Sequence, residues 1–165
     1  MNKETQDNLK EAFAGESQAN RTYLAFAQQA EKEGFNQAAK LLRAAADSET
    51  VHALKHIAAM GKVGSTEENL KEAIDGENYE FQTMYPKMIE AANGEAEKAA
   101  KMSFENANAV EKEHSRLFGE MLSDLAGAPA VDYWVCQNCG HVHIDEAPEK
   151  CPVCNWPQKF FKKID

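Results

Sequence analysis

The chain has 165 residues, 18 of them basic and 27 acidic, for a formal net charge of −9 at pH 7. That length allows one good hydrophobic core and a small appendage, which must be held by something other than packing. With no basic cluster, neither a nucleic-acid backbone nor an anionic membrane surface is expected as partner, and a polar N-terminus with no apolar run near the ~18 residues of a membrane span predicts a cytoplasmic protein.

Residues 1–126 are rich in Ala, Glu, Lys, Leu and Gln and poor in Pro, with breaks at Gly34, at "MGKVGS" (60–65) and at Asn93-Gly94. These divide the region into four predicted helices, roughly 4–33, 36–60, 66–93 and 95–126. Ser65 followed by Glu68 makes a capping box for the third, and Pro86 should kink that helix. The region is an internal repeat: "EAFAGE" (11–16) matches "EAIDGE" (72–77), and Glu49-x-x-His52 matches Glu111-x-x-His114 at nearly the same offset. Residues 127–131 read as a linker, and 132–165, aromatic, β-branched and carrying all four cysteines, as a second small domain.

In the fourth helix Phe104, Ala107, Glu111, His114, Phe118 and Met121 follow 3–4 spacing, so the Glu and His lie in line with the apolar stripe. The second helix repeats this with Leu42, Ala45, Glu49 and His52; the first places Glu16 between Ala12, Ala19 and Tyr23, and the third places Glu77 and Glu80 between Ala73 and Met84. Five carboxylates and two imidazoles thus converge inside one bundle, with no Lys or Arg on the stripes to neutralise them. Buried carboxylates must protonate, pair with cations or hold metal. A Glu from each of two helices and Glu-x-x-His from the other two is the pattern of a dinuclear carboxylate site, and oxygen-rich donors with some imidazole suit iron or manganese better than zinc or copper. Five negative charges roughly balance two divalent ions. Glu80 has no counterpart in the first half, which carries Ala19 there, so one metal is offered an extra oxygen.

The tail holds Cys136-x-x-Cys139 and Cys151-x-x-Cys154, two knuckles whose thiolates can close a tetrahedral site for zinc or iron, the spacing favouring neither. Gly140 and Asn155, just after each pair, are placed to turn left-handed and aim backbone N–H groups at sulfur. Tyr133, Trp134, Trp156, Phe160 and Phe161 offer a small aromatic core around the metal. His141 and His143, between the knuckles, read as surface residues.

A carboxylate-rich dinuclear bundle followed by a four-cysteine knuckle pair resembles a rubrerythrin over essentially the whole chain. "EAFAGESQA", Glu77-x-x-Glu80 before "MYP", both Glu-x-x-His motifs and "CPVC" carry the resemblance. It implies an all-α ferritin-like four-helix bundle with a small β-rich rubredoxin-like domain. The activity implied is peroxidase: a non-haem di-iron site reduces hydrogen peroxide to water, with electrons from a donor protein or reductase relayed through an Fe(Cys)₄ centre, as a defence against oxidative stress. By the same resemblance Glu49 and Glu111 bridge the irons, Glu16, His52 and Glu80 serve one, and Glu77 and His114 the other, with His52 and Glu80 exchanging as the oxidation state changes. Tyr23 and Tyr85 match tyrosines near the family's site, as packing residues on the stripe or as catalytic ones. The alternative activity is iron oxidation and handling of the ferritin kind, which the appended four-cysteine domain argues against, since storage needs no electron relay.

One departure from the long-loop members of the family predicts assembly. In a ferritin-like bundle the second and third helices run parallel, so the chain must return to the starting end between them. Eight residues beyond His52 and eleven from Thr66 to Glu77 make that return roughly 28 Å, whereas Gly61 to Ser65 spans only about 17–20 Å. A homodimer swapped between helix pairs one–two and three–four satisfies both lengths.

Overall fold

The computed structural model describes all 165 residues, which fold as two compact units, Met1–Gly64 and Ser65–Asp165. The first is an antiparallel hairpin of α1 (Lys3–Lys32) and α2 (Asn36–Ala59). The Asn2 side chain caps α1 by accepting from the Thr5 N–H at 2.9 Å. Gly34 ends it at φ +83°, with the Phe35 N–H reaching back to the Ala30 carbonyl at 2.8 Å. Gly61 ends α2 the same way at φ +67°. Between the helices the fully buried residues are all alanine: Ala27 on α1, and Ala39, Ala46 and Ala53, spaced by seven on α2. Small side chains let the backbones approach closely but remove little apolar area from water. Phe26, Leu41, Val51 and Leu54 are left 47 to 68 % exposed, a large apolar surface for a two-helix unit.

The second unit begins with α3 (Thr66–Tyr79), opened by the expected capping box: the Glu68 N–H donates to the Ser65 hydroxyl at 3.2 Å and the Ser65 N–H to the Glu68 carboxylate at 2.8 Å. Just ahead of Pro86, where a kink was expected, the helix opens into one π turn at Glu80–Met84 before resuming as α4 (Tyr85–Gly94). The Tyr85 N–H bonds the Glu80 carbonyl, five residues back. Widening the turn before the proline absorbs the ring that would otherwise strike the preceding carbonyls. The next break falls later than the sequence suggested. Gly94 is still helical, the left-handed residue is Ala96 (φ +59°), and α5 runs Lys98–Ser123 rather than 95–126. α5 packs against α3 and α4.

The C-terminal segment forms a three-stranded antiparallel sheet in the order β2-β1-β3, with β1 at Tyr133–Cys136, β2 at Val142–Ile144 and β3 at Phe161–Ile164. Its core is Cys136, Ala147, Cys151 and Phe161, with Trp134 and Val153 packed alongside. The expected aromatic core is thus only partly realised: Trp156 is 39 % exposed and lies tilted against Phe160, ring centroids 4.3 Å apart. No helix is long and apolar enough to cross a membrane.

Candidate metal centres

On α2 the three-residue step from Glu49 to His52 brings both side chains to one face, and α1 lays Glu16 beside them. His52 Nδ1 lies 2.7 Å from Glu49 and 3.7 Å from Glu16. In the second unit the corresponding distances are 2.7 Å from His114 Nδ1 to Glu111 and 3.6 Å to Glu77. The two halves of the repeat therefore build one geometry twice, each triad on its own helix pair. Ligand atoms about 2.1 Å from an octahedral ion lie about 3.0 Å apart, so each triad is already close to a coordination edge and fits a divalent metal with two oxygens and one nitrogen.

In the second triad the carboxylates crowd one another at partly buried positions, an arrangement that favours a cation among them. Burial, then the charge of Glu111, raises the Glu77 carboxyl above the usual range, and burial, then Glu77, raises Glu80. Glu80 starts the π turn and stands outside the close group of Glu77, Glu111 and His114, one turn beyond Glu77. The Tyr85 hydroxyl is raised by burial and then by Glu111, Glu80 and Glu77, which places this phenol beside the carboxylates; its ring packs on Phe104 at 6.3 Å. Tyr23, on α1, is half-buried.

The four cysteines are reduced and gathered, with Cys136 and Cys154 sulfurs 3.7 Å apart and Cys139 and Cys151 sulfurs 3.5 Å apart. A tetrahedral ion with 2.3 Å bonds to sulfur needs edges of about 3.8 Å, so the four thiols fit an iron or zinc ion with little movement. Gly140 (φ +87°) and Asn155 (φ +60°) are left-handed as expected. The backbone N–H of His141 then points at the Cys139 sulfur, and that of Trp156 at Cys154. Burial pushes the Cys139 and Cys151 thiols up. At Cys154 burial also raises the thiol, but the Asn138 side chain, the Trp156 N–H and the neighbouring Cys139 and Cys151 outweigh it and bring it to about 7.

Two residues near the centres escaped the sequence reading. Asn138 was passed over because it lies between the two cysteines of a knuckle, where any residue is allowed. His141, expected at the surface, is 6 % exposed. Its burial depends on α5 covering the knuckle, since Gly140 beside it backs onto Val110, and no local pattern announces that.

The rubrerythrin family profile matches residues 7–122, and the profile of the rubrerythrin rubredoxin-like domain matches 134–162. A rubrerythrin from Porphyromonas gingivalis is 35 % identical, with 97 % of this chain and 90 % of the relative covered. One from Nitratidesulfovibrio vulgaris is 32 % identical over 97 % and 94 %. Among solved structures, fully reduced, all-ferrous nigerythrin superposes with a TM-score of 0.60 at 31 % identity, over 97 % of this chain and 86 % of that one.

Proposed function

Since this chain belongs to the rubrerythrin family, we propose that it is an oxidoreductase of the peroxidase kind, reducing hydrogen peroxide to water in a reducing cytoplasm. The division of labour is a di-iron bundle over 1–126, a linker at 127–131 and a rubredoxin-like domain over 132–165. An iron pair held there would supply the two electrons that, with two protons, convert one peroxide to two waters, and an iron on the four cysteines, fed by a donor protein or reductase, would supply single electrons to restore it. The observation that carries this reading is the duplicated triad, 2.7 and 3.6–3.7 Å in both halves, joined on one chain to four thiols at tetrahedral spacing.

In this reading Glu49 and Glu111 would be shared by two ions, Glu16 and His52 would hold one of them, and Glu77 and His114 the other. Glu80 stands off in the π turn as the carboxylate that can replace His52. Tyr85, kept protonated by burial and then by the carboxylates around it, offers a hydroxyl donor beside those carboxylates, with Tyr23 as its counterpart from α1.

The site also needs two copies of the chain. His52 is 49 % exposed and its unit buries only alanines, so the first triad lacks the walls that would dry it. From His52 to Ala59 and from Thr66 to Glu77 the helices run about 27 Å, while Met60–Ser65, of which Met60 and Gly61 are coiled in the helix stop, reaches about 20–23 Å. A dimer in which α1 and α2 of one chain meet α3–α5 of its partner completes both sites.

Anaerobically reduced, iron-loaded protein mixed with hydrogen peroxide in a stopped-flow cell tests the activity. Rapid oxidation of the pair, two electrons per peroxide, followed by the four-cysteine iron, is the expected result. Sluggish reaction with peroxide, beside many turnovers with added ferrous iron and dioxygen, would make the protein a ferroxidase instead.

A further inference from the structure

His141 is buried with both ring nitrogens unpaired. With no hydrogen bond to hold it, the ring is fixed by packing alone, and the residue's neighbours show what it packs between. On one side it belongs to the four-cysteine site: its N–H points at the Cys139 sulfur, and its carbonyl accepts the Cys136 N–H at 2.9 Å. On the other it faces α5, with Glu113 and His114 near its ring and the His143 ring 5.7 Å away. The flanking residues make the same bridge. A Cβ on Gly140 would lie 3.8 Å from Val110 of α5. Val142, with Tyr133, walls a cavity of about 500 Å³ whose other side carries Glu77, His114, Leu117 and Phe118. The knuckle, the strand and this half of the carboxylate site all lie within one compact unit.

We propose that His141 is a positioning residue that seats each chain's four-cysteine centre on the α5 of that same chain, so that the centre serves the metal pair containing that chain's own Glu77, Glu111 and His114. Three consecutive residues, Cys139, Gly140 and His141, then form an unbroken covalent path from sulfur to the face of α5. The proposal rests on the di-iron and four-cysteine reading above. It does not depend on the swap, because everything it invokes lies beyond Ser65.

Mixed dimers purified through two affinity tags test the wiring. In one, Cys151→Ser and Glu111→Ala are on the same chain and the partner is wild type; in the other the two lesions are on different chains. Each dimer keeps one four-cysteine iron and, at most, one complete carboxylate site. After anaerobic reduction and one equivalent of hydrogen peroxide, the pair loses two electrons to the O–O bond. The ferrous four-cysteine iron then turns ferric by returning one. Same-chain seating predicts the ferric absorbance when both lesions share a chain and its absence when they are split. Any other pattern, at dilutions where molecules do not exchange electrons, overturns the seating. Wild-type protein run alongside separates this from failure of the peroxidase reading, in which the pair would not be oxidised at all.

The role of the side chain is read without turnover, in zinc-loaded protein. His141→Ala should speed amide exchange across Val110–His114 by about tenfold with all zinc retained. His141→Phe, which keeps the ring and discards the unpaired nitrogens, should leave exchange unchanged. In the iron-loaded forms the Ala variant should slow the return of the electron while the Phe variant restores it. Wild-type protection and electron return in the Ala variant would overturn the positioning role.

Discussion

Complementation between two dead chains gives the sharpest test of the shared site. Glu49→Ala removes a carboxylate from the first triad and Glu111→Ala its counterpart in the second, so each variant alone has no complete site in either assembly. In a swapped mixed dimer one site collects both lesions and the other collects neither; in an unswapped dimer each bundle keeps one lesion. Random reassociation of equal amounts makes half the dimers mixed, and one site in two of these is intact, so about a quarter of wild-type activity and paired iron returns if the helices are exchanged. The assay is peroxide consumption after co-refolding, paired with iron content and the absorbance of the oxidised pair. Recovery near a quarter supports exchange. No recovery, with both variants folded and dimeric, would refute the linker arithmetic and require the chain to close its own bundle.

Other consequences follow from single residues. Gly140→Ala meets no clash, its new Cβ lying 3.8 Å from Val110, so its cost is the left-handed backbone alone, about 1–2 kcal/mol, read as a lower denaturation midpoint of the metal-loaded tail. Ala96→Gly should do the reverse, because Ala96 already holds φ +59°; relief of that strain, less the extra freedom of glycine in the unfolded chain, gives a gain of about 0.5–1 kcal/mol in chemical denaturation. In the metal-free protein Glu77 and Glu80 are raised above their unfolded values. Their protonation therefore stabilises the fold fully below the ordinary carboxylate range, and that stability is lost as pH rises through the raised values. Metal-free protein should melt higher at pH 5 than at pH 7, and a melting temperature that rises toward neutrality would contradict the placement of those carboxylates. Loading the site should remove most of the difference.

What the sequence determined by itself is what helix and turn geometry determine locally. A three-residue step on a helix puts Glu49 over His52 and Glu111 over His114 wherever the helix lies, and the structure reproduces the same 2.7 Å in both. Knuckle spacing gathers four sulfurs, and Gly140 and Asn155 turn left-handed because few other residues do so cheaply. Burial was not legible, since it depends on what the rest of the chain lays over a residue. His141 is inside because α5 covers it, Trp156 is outside because the short tail has no second layer to hold it, and Ala96 rather than Gly94 takes the left-handed turn because α4 runs to Gly94 before it stops. The π turn lies between the two cases: Pro86 announces a disturbance, but not that it takes the form of a widened turn at Glu80–Met84, a segment packed against α5.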